Sequence, residues 1–259
     1  MPAPLLATAG ITDRIEALNA QDSILPFDVK ALKRDIERLM AVNAAEAYML
    51  FGMLNATLGD YEGSKEMHLK GLRLSMDEVG LVNYGISMRK VGRIQEAKLH
   101  FTKAFERSPS PDILEKIVYA STLICDYEEL ELIVERFNKA NPDYDLEGME
   151  CMDTFRSIEG HLKTLGIAPG EYKLVGEFIQ QAMIEFGLVN DRLHVGLSSF
   201  EGVSHLYLEV PLPVKNAHQL VAINDRISEL VLSCDDITNW DRLVVNFIDS
   251  KSVTMSAVA

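Results

Sequence analysis

Apolar residues recur at helical spacing along the chain from about residue 12 to residue 187. Ile36, Leu39 and Met40, for example, place one apolar stripe on the segment 27–42. The same spacing predicts further helices over 12–20, 149–165 and about 171–187. The pattern therefore predicts an α-helical structure for most of the chain.

From Leu193 onward apolar and polar residues alternate, which is the period of a strand with one buried face. This alternation predicts strands over 193–197 and 206–210 with a turn at 201–204. A helix is predicted over 216–233, and the short continuous apolar run over 243–248 predicts a central strand. Pro211 and Pro213 are expected to end the second strand. Because three strands barely make an independent sheet, we expect this part to pack on the helical part or to pair with another copy.

Three positions recur at an interval of 33 residues: Gly59, Gly92 and Cys125. Each is followed two positions later by an aromatic or apolar residue (Tyr61, Ile94, Tyr127) and five positions later by Ser64, Ala97 or Leu130. A repeat of this length is typical of a solenoid in which helix pairs stack to bury their apolar faces. The recurring glycines are expected to end the first helix of each pair in a left-handed conformation.

The segment from Ala45 to Leu72 resembles a tetratricopeptide repeat, and the segment from Leu81 to Pro109 matches that family's pattern at nearly every signature position. A third unit, from Leu114 to Pro142, has Cys125 in place of the turn glycine. The residues that carry the resemblance are Tyr48, Gly52, Gly59, Asp60, Tyr61, Tyr84, Gly85, Gly92, Ala97, Phe101 and Ala104. The resemblance covers residues 45–142 and implies stacked α-hairpins that cross closely at Gly52, Gly85, Ala97 and Ala104.

We predict two domains: a tetratricopeptide-like helical domain over 1–166 and a small α+β module over 170–259. The cluster from Gly166 to Gly170 separates them, because glycine and proline interrupt helices. The helices before residue 45 are expected to cover the exposed end of the first repeat. The fold class is therefore a helical solenoid of about three repeats with capping helices, followed by a helix-strand-strand-helix-strand module.

In the repeat family the first helix of each unit lines a concave groove in which ligands bind. The resemblance implies that the groove presents Met49, Leu50, Met53, Val82, Asn83, Ile86, Arg89, Lys90, Lys116 and Tyr119. Methionine adapts to irregular apolar surfaces, so this lining is suited to a helix or an extended peptide. The alternative is that the chain's own terminal helices fill the groove. A clamp for a peptide carboxylate is disfavoured, because Met49 and Met53 occupy positions where that clamp needs polar residues.

The net charge of −14 is concentrated in one part of the chain. Residues 111–160 contain 13 Asp and Glu but only 4 Lys and Arg. This segment is either a solvated face or a docking surface for a basic partner, since a field of one sign speeds and orients association. Nucleic acid is disfavoured as a partner, because it requires a basic surface.

The sequence favours a cytoplasmic protein that is not an enzyme. It begins without a secretory signal, has no apolar stretch of transmembrane length, and contains three isolated cysteines that do not suggest a disulfide framework. The six histidines lack metal-binding spacing, and no nucleotide-binding loop or nucleophile elbow is present. No metal or cofactor is therefore expected. His194 and His205 are placed to face each other across the hairpin, which we interpret as a solvated or packed pair.

The favoured hypothesis is a non-enzymatic adaptor that binds a protein or peptide segment in the groove, with the C-terminal module packing on the solenoid or forming a homodimer. The alternative is a dedicated chaperone or neutralising partner for one basic protein, which would dock on the acidic residues 111–160. A third hypothesis is an enzyme whose active site lies in the C-terminal module.

Overall fold

The computed structural model of the protein describes residues 4–19, 24–190, 192–213 and 216–250. Contacts between residues divide the chain into two units, Met1–Ile113 and Leu114–Ala259, and each unit is described by itself. The domain boundary predicted at residues 166–170 falls inside the second unit. The chain is mostly helical, with a small sheet near the C-terminus, and this confirms the predicted combination of an α fold with a smaller α+β part.

The first unit contains six helices among its described residues: α1 (Pro4–Asn19), α2 (Pro26–Met40), α3 (Ala44–Thr57), α4 (Tyr61–Leu74), α5 (Glu78–Lys90) and α6 (Ile94–Arg107). Helix α7 (Pro111–Leu123) begins at the boundary between the units. The second unit continues with α8 (Leu130–Ala140), α9 (Glu150–Leu165), α10 (Pro169–Glu185), β1 (His194–Phe200), β2 (Val203–Leu212), α11 (Ala217–Leu232), a 3₁₀ turn (Trp240–Arg242) and β3 (Leu243–Asp249).

Short polar side chains start three consecutive helices of the first unit. Asn43, Asp60 and Asp77 each accept a hydrogen bond from the backbone N–H three residues later, at the beginnings of α3, α4 and α5. Such caps satisfy one of the unpaired N–H groups at a helix start and typically contribute about 1 kcal/mol. The starts of these three helices are therefore determined by local hydrogen bonds, independently of tertiary packing.

The 33-residue repeat coincides with a recurring turn. Gly59, Gly92 and Cys125 have φ values of 77°, 76° and 53°, so all three positions are left-handed, as predicted for the glycines. Cysteine carries a Cβ, and a non-glycine residue in this conformation costs about 1–2 kcal/mol. The turn is therefore retained at Cys125 although its preferred residue is missing.

Close helix crossings require the small residues that the repeat pattern contains. A Cβ added at Gly52 on α3 would overlap the ring of His68 on α4, and a Cβ at Gly85 on α5 would overlap the ring of Phe101 on α6. The predicted crossings at these two glycines are confirmed. Helix α3 packs on α4 and α5, and α5 packs on α6.

The N-terminal helices bury one side of α3. Ile11, Ile15 and Leu18 of α1 and Leu32 and Ile36 of α2 form one apolar cluster with residues of α3. Both helices contact α3 directly. This confirms the expectation that the segment before residue 45 covers the first predicted repeat.

In the second unit the strand order is β1-β2-β3, with β1 and β2 antiparallel and β2 and β3 parallel. The prediction of a central strand over 243–248 is therefore wrong: β2 is central in the described sheet, and β3 lies at its edge with only Leu243 and Phe247 buried. Leu206, Leu208, Val210 and Leu212 of β2 are fully buried in a core that includes Ile223 of α11. Helix α9 contacts β1 and β2, while α11 contacts α10 and β3. The small sheet thus rests on helices, as the strand count led us to expect. Pairing with another copy stays a prediction.

Two expectations about the hairpin are wrong. Pro211 lies inside β2, opposite Ile248 of β3. It is tolerated there because pairing with β1 has already ended at Glu209, so the missing N–H breaks no bond on that side. The strand ends at Leu212, directly before Pro213, as predicted for that proline. His194 and His205 do not face each other, since His205 is opposite Ser198. Four residues of strand, about 13 Å, separate their positions along β1.

Close packing of α10 against the turn after α7 depends on Gly176. A Cβ at this position would overlap the backbone carbonyl of Ile124, which cannot rotate away as a side chain can. We expect Gly176→Ala to lower the free energy of unfolding by about 1–3 kcal/mol. Urea unfolding followed by circular dichroism tests this, with Gly160→Ala as the control because a Cβ added at Gly160 would have no atom within 4 Å. Equal midpoints for the two variants would contradict the prediction.

The helices of the described part of the chain lack the combination of length and apolar content that crossing a bilayer requires. Cys125, Cys151 and Cys234 are all free thiols.

Candidate functional site

The predicted groove residues of α3 separate into two groups. Leu50 is fully buried and Met53 is 9% exposed, and both belong to the apolar cluster formed with α1 and α2. In this conformation they offer almost no surface to a partner. Met49 is half-buried, and its sulfur accepts a hydrogen bond of 3.2 Å from the Asn83 side-chain amide. The structure therefore brings Met49 and Asn83 together but places Leu50 and Met53 in the core against α1 and α2. This part of the predicted groove is covered by the chain's own N-terminal helices, as the alternative expected.

The groove residues predicted on α5 are all partly exposed: Val82, Asn83, Ile86, Arg89 and Lys90. The Lys90 ammonium donates to Thr57 Oγ1 at 2.9 Å. Burial lowers the pKa of Lys90 to about 8, although the Glu16 carboxylate of α1 opposes this shift. Lys116 and Tyr119, predicted for the third repeat, are partly exposed on α7 in the second unit. A partner contact at these residues stays a prediction.

A cleft of about 550 Å³ opens in the first unit between α1, the start of α3, the end of α4 and the start of α5. We call it the acidic cleft. Three carboxylates line it, those of Asp13, Glu46 and Asp77, and the described lining residues include no lysine or arginine. Its remaining surface includes Met49, Leu72, Val79 and Asn83. The cleft thus combines apolar surface with negative charge.

Two of the three carboxylates are held in place by hydrogen bonds. Glu46 accepts from the Thr8 hydroxyl at 2.6 Å, and Asp77 accepts from the Gly80 N–H at 2.7 Å and from the Ser75 hydroxyl at 2.5 Å. Asp13 is exposed on α1. Fixed carboxylates beside apolar surface are suited to a lysine or arginine side chain, whose methylene stem packs while its cationic end is neutralised.

The acidic cleft borders a buried stack of three rings. His68, which lines the cleft, stacks on Tyr84 at a centroid distance of 4.8 Å, and Tyr84 stacks on His100 at 3.8 Å. Desolvation lowers the pKa of His68 to about 3 and that of His100 to about 4. His68 Nε2 also hydrogen-bonds to Ser87 Oγ at 2.8 Å. At neutral pH the stack is uncharged, so it contributes shape to the cleft rather than charge.

Sequence reasoning missed all three carboxylates, Asp13, Glu46 and Asp77, as cleft residues. Asp77 carries the signal of a helix cap, which explains it without a ligand. Asp13 lies on α1, outside the repeat register, and the repeat pattern does not specify how that helix is placed. Only Met49 and Asn83 are shared between the predicted groove and the cleft.

The comparison with known proteins identifies no relative. Neither a protein-family description, nor a curated protein, nor a solved structure matches this chain. Membership of the tetratricopeptide repeat family therefore stays a prediction that rests on the signature residues of the repeat and on the recurring turns.

Proposed function

We propose that the protein is a non-enzymatic adaptor that binds a segment of a partner protein, and that the acidic cleft receives a basic residue of that segment. The observation that carries this proposal is a cleft of about 550 Å³ with three carboxylates and no lysine or arginine among its described lining residues. Its volume lies within the range of ligand-binding sites, about 300–1,000 Å³. Met49 and Asn83 connect the cleft to the groove that the repeat pattern predicts.

Cysteine and histidine often act in catalysis, but Cys125 and His68 have protonation states at neutral pH that do not suit a nucleophile or a general base. Burial raises the pKa of the Cys125 thiol to about 12, so the nucleophilic thiolate is scarce at neutral pH. Burial also lowers the pKa of His68 to about 3, far from the value near 7 that suits a general base at neutral pH. Both observations support a binding role over an enzymatic one.

Selection of binders from a displayed library of random peptides, with the full-length protein as bait, tests the proposal. We expect the selected peptides to be enriched in lysine or arginine. The exchange Asp13→Lys should weaken the best peptide about tenfold, because it replaces an attraction in the cleft with a repulsion. Binding is measured by isothermal titration calorimetry.

Glu106→Lys provides the matched control, since Glu106 is an exposed residue of the same unit that does not line the cleft. Val79→Ser tests the apolar wall of the cleft without changing its charge, because Val79 is 60% exposed and its exchange removes no core packing. Selected peptides that bind the Asp13 and Val79 variants as tightly as the unmodified protein would refute the proposed site. A selection that enriches no sequence would refute the function itself.

The distribution of charge favours a second candidate function, a dedicated chaperone or neutralising partner for one basic protein. In the second unit Glu128, Glu131, Glu135, Asp143 and Asp145 are all exposed. A partner docked by such a surface is expected to dissociate as salt rises, because the screening length falls from about 10 Å at 0.1 M to about 3 Å at 1 M. Partners captured from native extract that remain bound at about 1 M NaCl would contradict this alternative.

A further inference from the structure

A second concave site lies wholly within the second unit, where a pocket of about 500 Å³ opens beside the turn that follows α7. We call it the aromatic pocket. Its apolar lining comes from that turn, from α9, from α10 and from the link between these two helices: Cys125, Tyr127, Phe155, Leu162, Tyr172 and Ile167. The acidic cleft of the first unit shares none of these residues, so the two sites can be tested separately.

Three aromatic rings shape the apolar part of this pocket. The Tyr127 ring lies 5.1 Å from the Phe155 ring and 5.9 Å from the Tyr172 ring, between centroids. The Tyr172 hydroxyl is buried beside the Cys125 thiol, a weak partner, and makes no hydrogen bond of normal geometry. Because that hydroxyl is buried, Tyr172 contributes its ring carbons, rather than a polar group, to the pocket. Such a surface favours an apolar or aromatic guest group.

The rim of the aromatic pocket is negatively charged. Glu128, Glu131 and Glu159 contribute carboxylates, and Lys163 contributes the one ammonium among the described lining residues. Lys163 is already paired with Glu159 at 2.5 Å, and Glu128 is paired with Lys173 at 3.4 Å. Glu131 is exposed and acts on Lys163 by its charge, but none of the ion pairs of 4 Å or less found in the described part of the chain involves it. The rim therefore retains capacity for further cations.

The size of the acidic region indicates what kind of partner the pocket is suited to. A small amine would be neutralised by one carboxylate, whereas residues 111–160 contain 13 acidic residues and 4 basic ones. An extended basic segment can engage several of these carboxylates while one of its apolar side chains enters the pocket. Buried apolar anchors with charged neighbours are the usual energetic arrangement of such interfaces.

We propose that the aromatic pocket binds a bulky apolar side chain presented by a lysine- or arginine-rich segment of a partner protein. The anchor packs against the rings of Tyr127 and Phe155, and the flanking cations pair with Glu128, Glu131 and Glu159. This site goes beyond the function assigned to the acidic cleft, because it gives the second unit a docking surface of its own. With both sites occupied, the chain joins two protein segments.

The probe is a synthetic peptide with one central tryptophan and two lysines on each side, titrated into the full-length protein and followed by isothermal titration calorimetry. We expect saturable binding that weakens at least about 30-fold when the tryptophan is replaced by alanine, because a buried aromatic anchor dominates such interfaces. Replacing the lysines with glutamates should abolish binding. Equal affinity of the tryptophan and alanine peptides would overturn the proposal.

Two exchanges on the rim have opposite expected effects. Glu131→Lys should weaken the peptide about tenfold, and Lys163→Glu should tighten it several-fold. Glu147→Lys is the matched control, since Glu147 is exposed in the same acidic segment but does not line the pocket. Equal effects of Glu131→Lys and Glu147→Lys would show general attraction to the acidic surface and would refute the pocket as the site.

Two further titrations complete the test. The first distinguishes the aromatic pocket from the acidic cleft, and the second distinguishes a peptide-binding site from a small-molecule site. The probe's lysines can also enter the acidic cleft, so the quantity compared is the affinity difference between the tryptophan and alanine peptides. Asp13→Lys, the exchange in the acidic cleft, should leave that difference unchanged, so failure of one site is distinguishable from failure of the other. Tryptamine, a small aromatic amine, is expected to bind far more weakly than the peptide. If it binds as tightly, the pocket is a small-molecule site and the proposal is overturned. The absence of any peptide binding at about 50 mM NaCl would also reject it.

Discussion

Lowering the pH from 7 towards 4 is expected to destabilise the first unit by several kcal/mol, because burial lowers the pKa of His68 to about 3 and that of His100 to about 4. In the unfolded chain both imidazoles take up protons near pH 6.5. Between that pH and about 4 the unfolded state therefore binds more protons than the folded one. Each histidine then removes about 1.4 kcal/mol of stability for every pH unit.

Thermal unfolding of the full chain, followed by circular dichroism between pH 7 and pH 4, measures this loss. The variant that combines His68→Phe with Ser87→Ala retains a ring against Tyr84 and removes both the titrating group and its hydrogen-bond partner. Its stability should depend less steeply on pH. His218→Asn is the control, since His218 is exposed on α11. Equal slopes for the unmodified protein and the His68 variant would contradict the assignment.

The hairpin turns were predictable from the sequence because their requirements are local. Each turn requires a residue in the left-handed conformation, and this requirement favours glycine. The 33-residue interval therefore predicted the turns at Gly59 and Gly92, and also the one at Cys125, where glycine is replaced. Strands β1 and β2 were predictable for the same kind of reason, since their alternation depends on one buried face. The apolar run of β3 predicted a strand but not its place at the sheet edge, which depends on its pairing with β2. The prediction for Pro211 was wrong because its tolerance depends on where β1 ends, which is a property of the sheet.

The acidic cleft could not be predicted from the sequence, because one of its walls is α1. That helix begins at Pro4, whereas the apolar pattern predicted a start at residue 12. Residues 4–9 are apolar or small apart from Thr8, so they show no polar face from which a helical period could be recognised. The repeats define the groove, but contacts distant in sequence, such as that of Thr8 with Glu46, define the cleft.

No sequence pattern indicates the structural role of Glu171, because most of its hydrogen-bond donors are also distant in sequence. Glu171, at the start of α10, is 7% exposed and accepts five hydrogen bonds. The donors are the backbone N–H groups of Ala168, Thr238 and Asn239, the Thr238 hydroxyl and the Asn239 amide, at 2.6–3.1 Å. Burial alone would raise the pKa of Glu171, but hydrogen bonds from Thr238, Ala168 and Asn239 lower it to about 2. The carboxylate joins α10 to the segment that leads into β3.

Glu171→Gln is therefore expected to lower the free energy of unfolding of the second unit by about 3 kcal/mol or more. An amide has one acceptor oxygen where the carboxylate has two, and its NH₂ group meets N–H donors, so buried donors are left unpaired at about 1–3 kcal/mol each. The chain's single tryptophan, Trp240, follows this segment directly, so its fluorescence reports urea unfolding locally.

Glu177→Gln, on the same helix, is the matched control, because none of the side-chain hydrogen bonds or ion pairs found in the described part of the chain involves Glu177. Equal urea midpoints for the two variants would show that the five hydrogen bonds contribute little.

The pH dependence of stability offers a second test of the role of Glu171. The folded pKa of Glu171 is about 2, below its ordinary value near 4.5, so its stabilisation is fully present above pH 4.5 and is lost as the pH falls towards 2. That loss should be absent in Glu171→Gln. It lies mostly below the range in which the histidines act, so the two effects are separable within one protein.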